Sequence, residues 1–189
     1  MSEIVLIRHG QTGWSATGRH TSYTDVDLTE DGERQATALA KALTGHAFTA
    51  VVASPRTRAL RTAVLAGLDV STVDEDLAEW HYGDYEGITT VQIRQGRPDW
   101  YLWTDGCPGG ESPEQVGARV DRLLARVTER LGAGNVALVG HGHLLRVVGA
   151  RWVGLPPSAG GLLRLDTGTL CRLGLEHDRR VVLSWNCPA

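Results

Sequence analysis

Three short runs are apolar at every position: Ile4 to Ile7, Ala50 to Ala53 and Val136 to Val139. Unbroken apolar runs of this length, rich in valine or isoleucine, mark strands covered on both faces, as in parallel sheets flanked by helices. Elsewhere the spacing changes to threes and fours. Ala36, Leu39, Ala40 and Leu43 recur at helical intervals behind Thr29, a suitable N-cap, with Glu30 and Asp31 in the first turn. Ser112-Pro113-Glu114-Gln115 reads as an N-cap, a proline at the first helical position and the glutamine of a capping box. Val116, Val120, Leu123, Leu124, Val127 and Leu131 then form one stripe, and Gly132 supplies a stop. Ser54-Pro55 is expected to open another helix in the same way, with Leu60, Ala63, Val64 and Gly67 on its inner face. In the tail, Leu170 to Leu175 and Val181 to Trp185 predict two strands joined in a hairpin around Asp178 and Arg179.

Strands alternating with helices predict an α/β fold with a mostly parallel sheet. No repeat, low-complexity tract or linker divides the sequence, so residues 1–189 read as one domain. Apolar residues make up 42% and charged residues 22%, the balance of a globular chain. The net charge of -3 offers no bulk basic field for nucleic acid or an anionic membrane, so any anion must be held by locally placed arginines. Cys107, Cys171 and Cys187 are odd in number, far apart and outside any CxxC pattern, which argues against a disulfide framework or a zinc site. The first residues lack a basic n-region and no run approaches the ~18 apolar residues of a membrane span, so a cytoplasmic location is expected.

Each apolar run leads directly into reactive residues. The first continues as Arg8-His9-Gly10-Gln11-Thr12, the second as Ser54-Pro55-Arg56-Thr57-Arg58, and the third as Gly140-His141-Gly142-His143. Ligands of open parallel sheets bind outside the carboxyl ends of the strands, so adjacency of these three would bring His9, Arg58 and His141 into one crevice. Guanidinium forks match phosphate oxygens, and a helix start at Ser54 would add backbone N–H groups. A neutral imidazole is a competent nucleophile toward phosphorus, and nearby arginine charge lowers its pKa. Glycine at 10, 140 and 142 allows close backbone approach to a ligand. No aspartate cluster with Mg²⁺ spacing and no HExxH motif is present, so neither a metal nor a cofactor is expected. Taken singly, each feature has an ordinary explanation: a structural histidine, a solvated arginine face, a histidine cap. Their coincidence at three strand ends carries the functional reading.

Arg8-His9-Gly10-Gln11-Thr12-Gly13-Trp14 resembles the RHG[EQ]TxW signature of the histidine phosphatase superfamily, the phosphoglycerate-mutase-like family. Later motifs match in order: Leu28 to Gly32, Ser54 to Ala63, Leu77 to Gly87, Pro108 to Ser112, and Gly140-His141-Gly142. The resemblance spans roughly residues 3 to 150. It implies a three-layer α/β/α sandwich, transient phosphorylation of His9, and phosphoryl binding by Arg8, Arg58 and His141. It also implies that Glu79 protonates the leaving oxygen and then activates water. From the residues alone, Glu79, Asp84 and Glu86 cannot be ranked; a general acid needs shielding from water, which Trp80 or Tyr82 would provide. Where many members carry Asn after the Trp of the first motif, this chain has Ser15, whose hydroxyl has a shorter reach to phosphate.

The expected activity is hydrolysis of a small-molecule phosphomonoester such as a sugar phosphate. The Ala-Glu-Trp, Pro-Asp-Trp, Gly-Cys-Pro and Gly-His-Gly-His pieces are similar to the family's actinobacterial acid phosphatases, alongside its sugar-bisphosphatase members. Two alternatives stand beside hydrolysis. Family mutases are usually longer between the acid motif and the second histidine than this chain is, and a non-catalytic phospho-ligand module would not need every matched residue. Ser15, Gly10, Thr21, Gly142 and His143 are candidates for binding substrate, with Arg19, His20 and Arg94 nearby. Trp100 to Trp103 is expected to wall the site or to pack against the sheet. A homodimer is compatible with the sequence, which leaves the oligomeric state open.

Overall fold

The three apolar runs become neighbouring strands in a six-stranded sheet of the computed structural model, which describes residues 2–189. The strands are β1 (Ile4–Arg8), β2 (Phe48–Ala53), β3 (Thr72–Val73), β4 (Asn135–Gly140), β5 (Thr169–Glu176) and β6 (Arg179–Pro188). Their order is β3-β2-β4-β1-β5-β6; the first four run parallel, and β5 and β6 are antiparallel additions. β1 lies in register with β4 from Ile4 opposite Val136 to Arg8 opposite Gly140. The helices are α1 (Gly13–Ala16), α2 (Glu30–Ala42), α3 (Thr57–Leu65), α4 (Thr90–Gly96), α5 (Leu102–Asp105), α6 (Pro113–Leu131) and α7 (Gly142–Trp152). None is long and apolar enough to cross a membrane.

Strand alternation divides the core into two layers. Ile4, Leu6, Val136 and Leu138 pack with the apolar faces of α6 and α7, whereas Val5, Ile7, Ala137 and Val139 pack with α2 and α3. All four residues from Ile4 to Ile7 are completely buried, each contributing about 1.5–3 kcal/mol of transfer free energy. This is a three-layer α/β/α sandwich. The expected caps form: Thr29 accepts from the Gly32 N–H, and Ser112 with Gln115 closes a capping box ahead of α6. The tail hairpin turns at His177-Asp178, one residue earlier than expected, with both residues at positive φ (47° and 62°). That conformation suits a two-residue turn between twisted strands.

The start of α3 departs from expectation. Ser54 is not the N-cap, its hydroxyl accepting from the Arg56 N–H only at 3.4 Å; the helix begins at Thr57, with Arg56 in the cap position and no side-chain cap bond. The serine hydroxyl is instead held by His141, described below. The inner face is Arg58, Ala59, Thr62 and Ala63, while Val64 is 63% exposed and Gly67 lies beyond the helix. Small alanines let α3 approach the sheet, and the two polar residues on that face serve the loop after β1. Trp100 and Trp103 are buried, packed edge-on against Tyr85 and Trp80, whereas Tyr101 between them is exposed, and the stretch walls a recess shared with His20 and His143.

Gly10 was expected to admit a ligand, but its open side is filled by protein. A Cβ there would lie 2.2 Å from the Gly32 carbonyl oxygen, and one on Gly32 would lie 2.0 Å from that of Gln11. Two glycines face to face let α2 press on the loop that follows β1. Replacing glycine by alanine in an exposed helix usually stabilises by about 1 kcal/mol. Gly32→Ala is expected to do the reverse, lowering the unfolding free energy by about 1–3 kcal/mol through overpacking. Equilibrium urea denaturation measures it, and a neutral or stabilising result contradicts the contact.

Candidate active site

The loops after β1, β2 and β4 are tied together by the sheet itself. The His9 N–H donates to the Gly140 carbonyl at 3.0 Å, and the Ser54 N–H to that of Val139 at 2.9 Å. His9 is 5% exposed and lines a cavity of about 250 Å³. Its Nδ1 lies 2.7 Å from the Gly10 carbonyl oxygen. A carbonyl only accepts, so Nδ1 carries the proton and Nε2 keeps its lone pair. Burial, and then the charges of Arg8 and Arg58, holds the imidazole pKa well below its ordinary value. The ring is therefore neutral near pH 7.

Arg8, Arg58 and His141 converge on this ring. The His141 ring meets His9 edge to face at 5.2 Å between centroids, and its Nε2 is 2.6 Å from the Ser54 hydroxyl. Arg58 is completely buried and donates to the carbonyls of Thr21, Ser22 and Thr24. Arg8 lines the cavity and donates to the Leu165 carbonyl. Burial lowers the pKa of both arginines, opposed first by the charge of Glu79. Both remain cations at neutral pH. Each still has a buried Nε without a partner, as do Arg56 at Nε and His141 at Nδ1. These nitrogens are sealed from solvent beside the cavity; the guanidinium groups that do line it, those of Arg8, Arg19 and Arg146, suit an anionic oxygen ligand.

The three acids that sequence could not rank have separate surroundings. Glu79 is 7% exposed and lines the same cavity as His9. One of its oxygens accepts from the Trp80 and Leu144 N–H groups, the other from that of His143, so the carboxylate sits on the first turn of α7. Glu86 accepts from the Ser22 and Thr24 N–H groups and organises the loop above Arg58. Asp84 is exposed, beside Gly109. Arg119 on α6, not singled out from sequence, pairs with Glu111 at 2.8 Å and donates to the carbonyls of Asp76, Ala78 and Glu79. It pins the segment that presents Glu79.

The remaining candidates divide. Ser15, Thr21, Gly142 and His143 line the cavity, as do Arg19 and His20, whereas Arg94 borders a smaller adjoining recess. The Ser15 hydroxyl is engaged within the Thr12 capping box, donating to the Thr12 carbonyl, and that of Thr21 donates to the Arg19 carbonyl. Gly10 is off the cavity wall and acts through its carbonyl on His9. Gly142 leaves room for Arg8, whose guanidinium carbon would be 3.1 Å from a Cβ there. Arg146 and the Tyr82 hydroxyl also belong to the site; Arg146 lies over Trp103 at 4.4 Å and is fixed by the Gly160 and Gly161 carbonyls. Only the helical offset of Arg146 from Gly142 hinted at its position. Among the described residues no group of three or more His, Cys, Asp or Glu side chains is arranged to hold a metal ion.

Comparison with known proteins places this arrangement in context. Residues 4–188 match the family model described as the histidine phosphatase superfamily (branch 1). The chain is 47% identical over 180 residues to an acid phosphatase of Mycobacterium tuberculosis, covering 94% of this chain and 88% of that one. The solved structure of an open reading frame product from M. tuberculosis superposes with a TM-score of 0.96 at 43% identity, over 99% of this chain and 98% of that one. A mycobacterial glucosyl-3-phosphoglycerate phosphatase, solved in complex with VO3, superposes with a TM-score of 0.87 at 32% identity, over 99% of this chain and all of the other.

The buried imidazoles couple stability to pH. His9, His20, His141 and His143 all have pKa values lowered primarily by burial. Unfolded, each takes up a proton below about pH 6.5, and folded it does so only at lower pH. Their contribution to stability is thus fully present above pH 6.5 and is lost as pH falls toward the folded values. Urea unfolding at about pH 7.5, 6.5 and 5.5 is expected to show a falling free energy across the last two; a flat profile overturns the assignment.

Proposed function

The chain belongs to the histidine phosphatase superfamily, and on that premise we propose that it hydrolyses a small-molecule phosphomonoester through a phosphohistidine formed at Nε2 of His9. The observation that carries this reading is the bond from His9 Nδ1–H to the Gly10 carbonyl, which leaves a bare nitrogen on a cavity shared with Arg8 and Glu79. In the first step the Nε2 lone pair attacks phosphorus and the phosphorus–oxygen bond to the alcohol breaks. Glu79, which takes up the proton carried in by the phosphomonoester monoanion, gives it to the departing oxygen. In the second step the Glu79 carboxylate takes a proton from water, whose oxygen attacks phosphorus as the phosphorus–nitrogen bond breaks and its electrons return to Nε2. The sum is ester plus water giving alcohol plus phosphate.

Arg8, Arg58 and His141 are the proposed donors to the phosphoryl oxygens. The two guanidinium charges and the N–H groups are in place before reaction, so stabilisation of the transition state needs little rearrangement. Guanidinium groups supply the cationic charge in this proposal, so a chelator is expected to leave phosphate release unchanged. A loss of turnover on chelation that added metal restores would contradict that part of the reading.

His9→Ala is expected to lower kcat by roughly 10³-fold or more. In the wild type, ³²P from a labelled ester should remain on the protein after alkaline denaturation and leave in mild acid, as a phosphorus–nitrogen bond does. Absence of label on a protein that turns over rejects the covalent step, and isomerised product in place of free phosphate rejects hydrolysis. Glu79→Gln is expected to cost about 10²–10⁴-fold in kcat on alkyl phosphates. In the first step alone, read as the single-turnover rate of alcohol release before water is activated, the loss should be much smaller on 4-nitrophenyl phosphate, whose leaving group needs no proton. Equal losses on both substrates would remove Glu79 as the proton donor.

A further inference from the structure

Two imidazoles on the cavity wall are held in opposite tautomers. His20 Nδ1 lies 2.8 Å from the Ile88 carbonyl oxygen, which only accepts, so Nδ1 carries the proton and Nε2 is a bare acceptor. His143 Nδ1 lies 2.6 Å from the Tyr82 hydroxyl. Tyr82 is 2% exposed and its hydroxyl has no other hydrogen-bond partner in the protein, so its own proton goes to Nδ1 and the His143 proton sits on Nε2. Burial supports the neutral form of all three groups, lowering both imidazole pKa values and raising that of the phenol. Neither Nε2 has a protein partner, and neither is among the sealed nitrogens. The rings are 6.2 Å apart between centroids and within 28° of parallel.

We propose that His20 and His143 form a hydroxyl-reading pair that selects phosphomonoesters whose alcohol carries a vicinal diol, as polyol and sugar phosphates do. One hydroxyl donates to His20 Nε2 while its neighbour accepts from His143 Nε2–H. A second phosphate or a carboxylate offers only acceptors; it satisfies His143 and leaves His20 facing an anion. A plain alkyl or aryl group strips water from both nitrogens and replaces none of it. Tyr82 is a positioning residue in this scheme, acting through His143. The inference deepens the phosphatase reading, and its kinetic part rests on that reading; the tautomers themselves do not.

Long-range ¹H–¹⁵N correlation spectra of the imidazoles in the ¹⁵N-labelled protein test the tautomers directly. The expected pattern is a proton on Nδ1 of His20 and on Nε2 of His143; the same tautomer in both overturns the proposal. Kinetically, kcat/KM for glycerol 3-phosphate is expected to exceed that for propyl phosphate by roughly 10²-fold. In His20→Asn the amide keeps a donor for the Ile88 carbonyl and lacks the acceptor; in His143→Asn the amide oxygen still receives the Tyr82 proton and the donor is lost. Each substitution should cut the preference at least roughly tenfold. Equal wild-type rates on the two esters overturn the proposal and leave the phosphatase standing. No phosphate from either ester, nor from 4-nitrophenyl phosphate, in a protein showing the expected tautomers would overturn the phosphatase reading instead. If the variants fail to fold, the spectra and the wild-type ratio decide.

Discussion

Two guanidinium groups and two imidazoles stripped of water at the ends of three adjacent strands impose the constraint that organises this molecule. Buried cations are costly unless the protein replaces their hydration. Here it does so with main-chain carbonyls: those of Thr21, Ser22 and Thr24 around Arg58, and that of Leu165 at Arg8. Glu79 adds an opposing charge. Burial, reinforced by the charges of Arg8 and Arg58, keeps His9 unprotonated, so the same packing that buries these cations leaves its Nε2 lone pair free. Loops that look peripheral in sequence, such as 20–25, exist in their observed form because they solvate Arg58.

The acid-rich segment shows one residue type taking three tasks by position alone. Glu79 sits on the start of α7, Glu86 ties down the loop over Arg58, and Asp84 faces solvent. What separates them is the N–H groups that surround each carboxylate, and these come from residues up to 65 positions away. Arg119 extends the pattern: a helix residue with an ordinary place in an amphipathic repeat fixes three carbonyls of the segment carrying Glu79.

Much of the frame was legible before any coordinates. β1, β2 and β4 are apolar on both faces because helices cover both, and that leaves an unbroken run in the chain. The caps of α2 and α6 are local and read correctly. The misreadings share a cause. Ser54-Pro55 has the local chemistry of a helix start, but its hydroxyl is claimed by His141, 87 positions later. Gly10 has the look of a ligand-contact glycine, but its missing side chain makes room for Gly32. The tautomers of His20 and His143 were invisible, because each depends on a partner more than 60 positions away. Spacing along a chain encodes period and caps; it does not encode which distant acceptor takes a proton.

The placement of β1 carries a consequence for the order in which the protein is made. β1 is interior to the sheet, between β4 and β5, and its partners begin at Asn135 and Thr169, far later in the chain. Arg8 then waits for the Leu165 carbonyl, and the neighbouring Asp166 is fixed by Asn186 on β6. Ile4 to Ile7 therefore emerge as an adhesive apolar segment with no mate until β4 and β5 have been made, the situation in which nascent chains depend on chaperones.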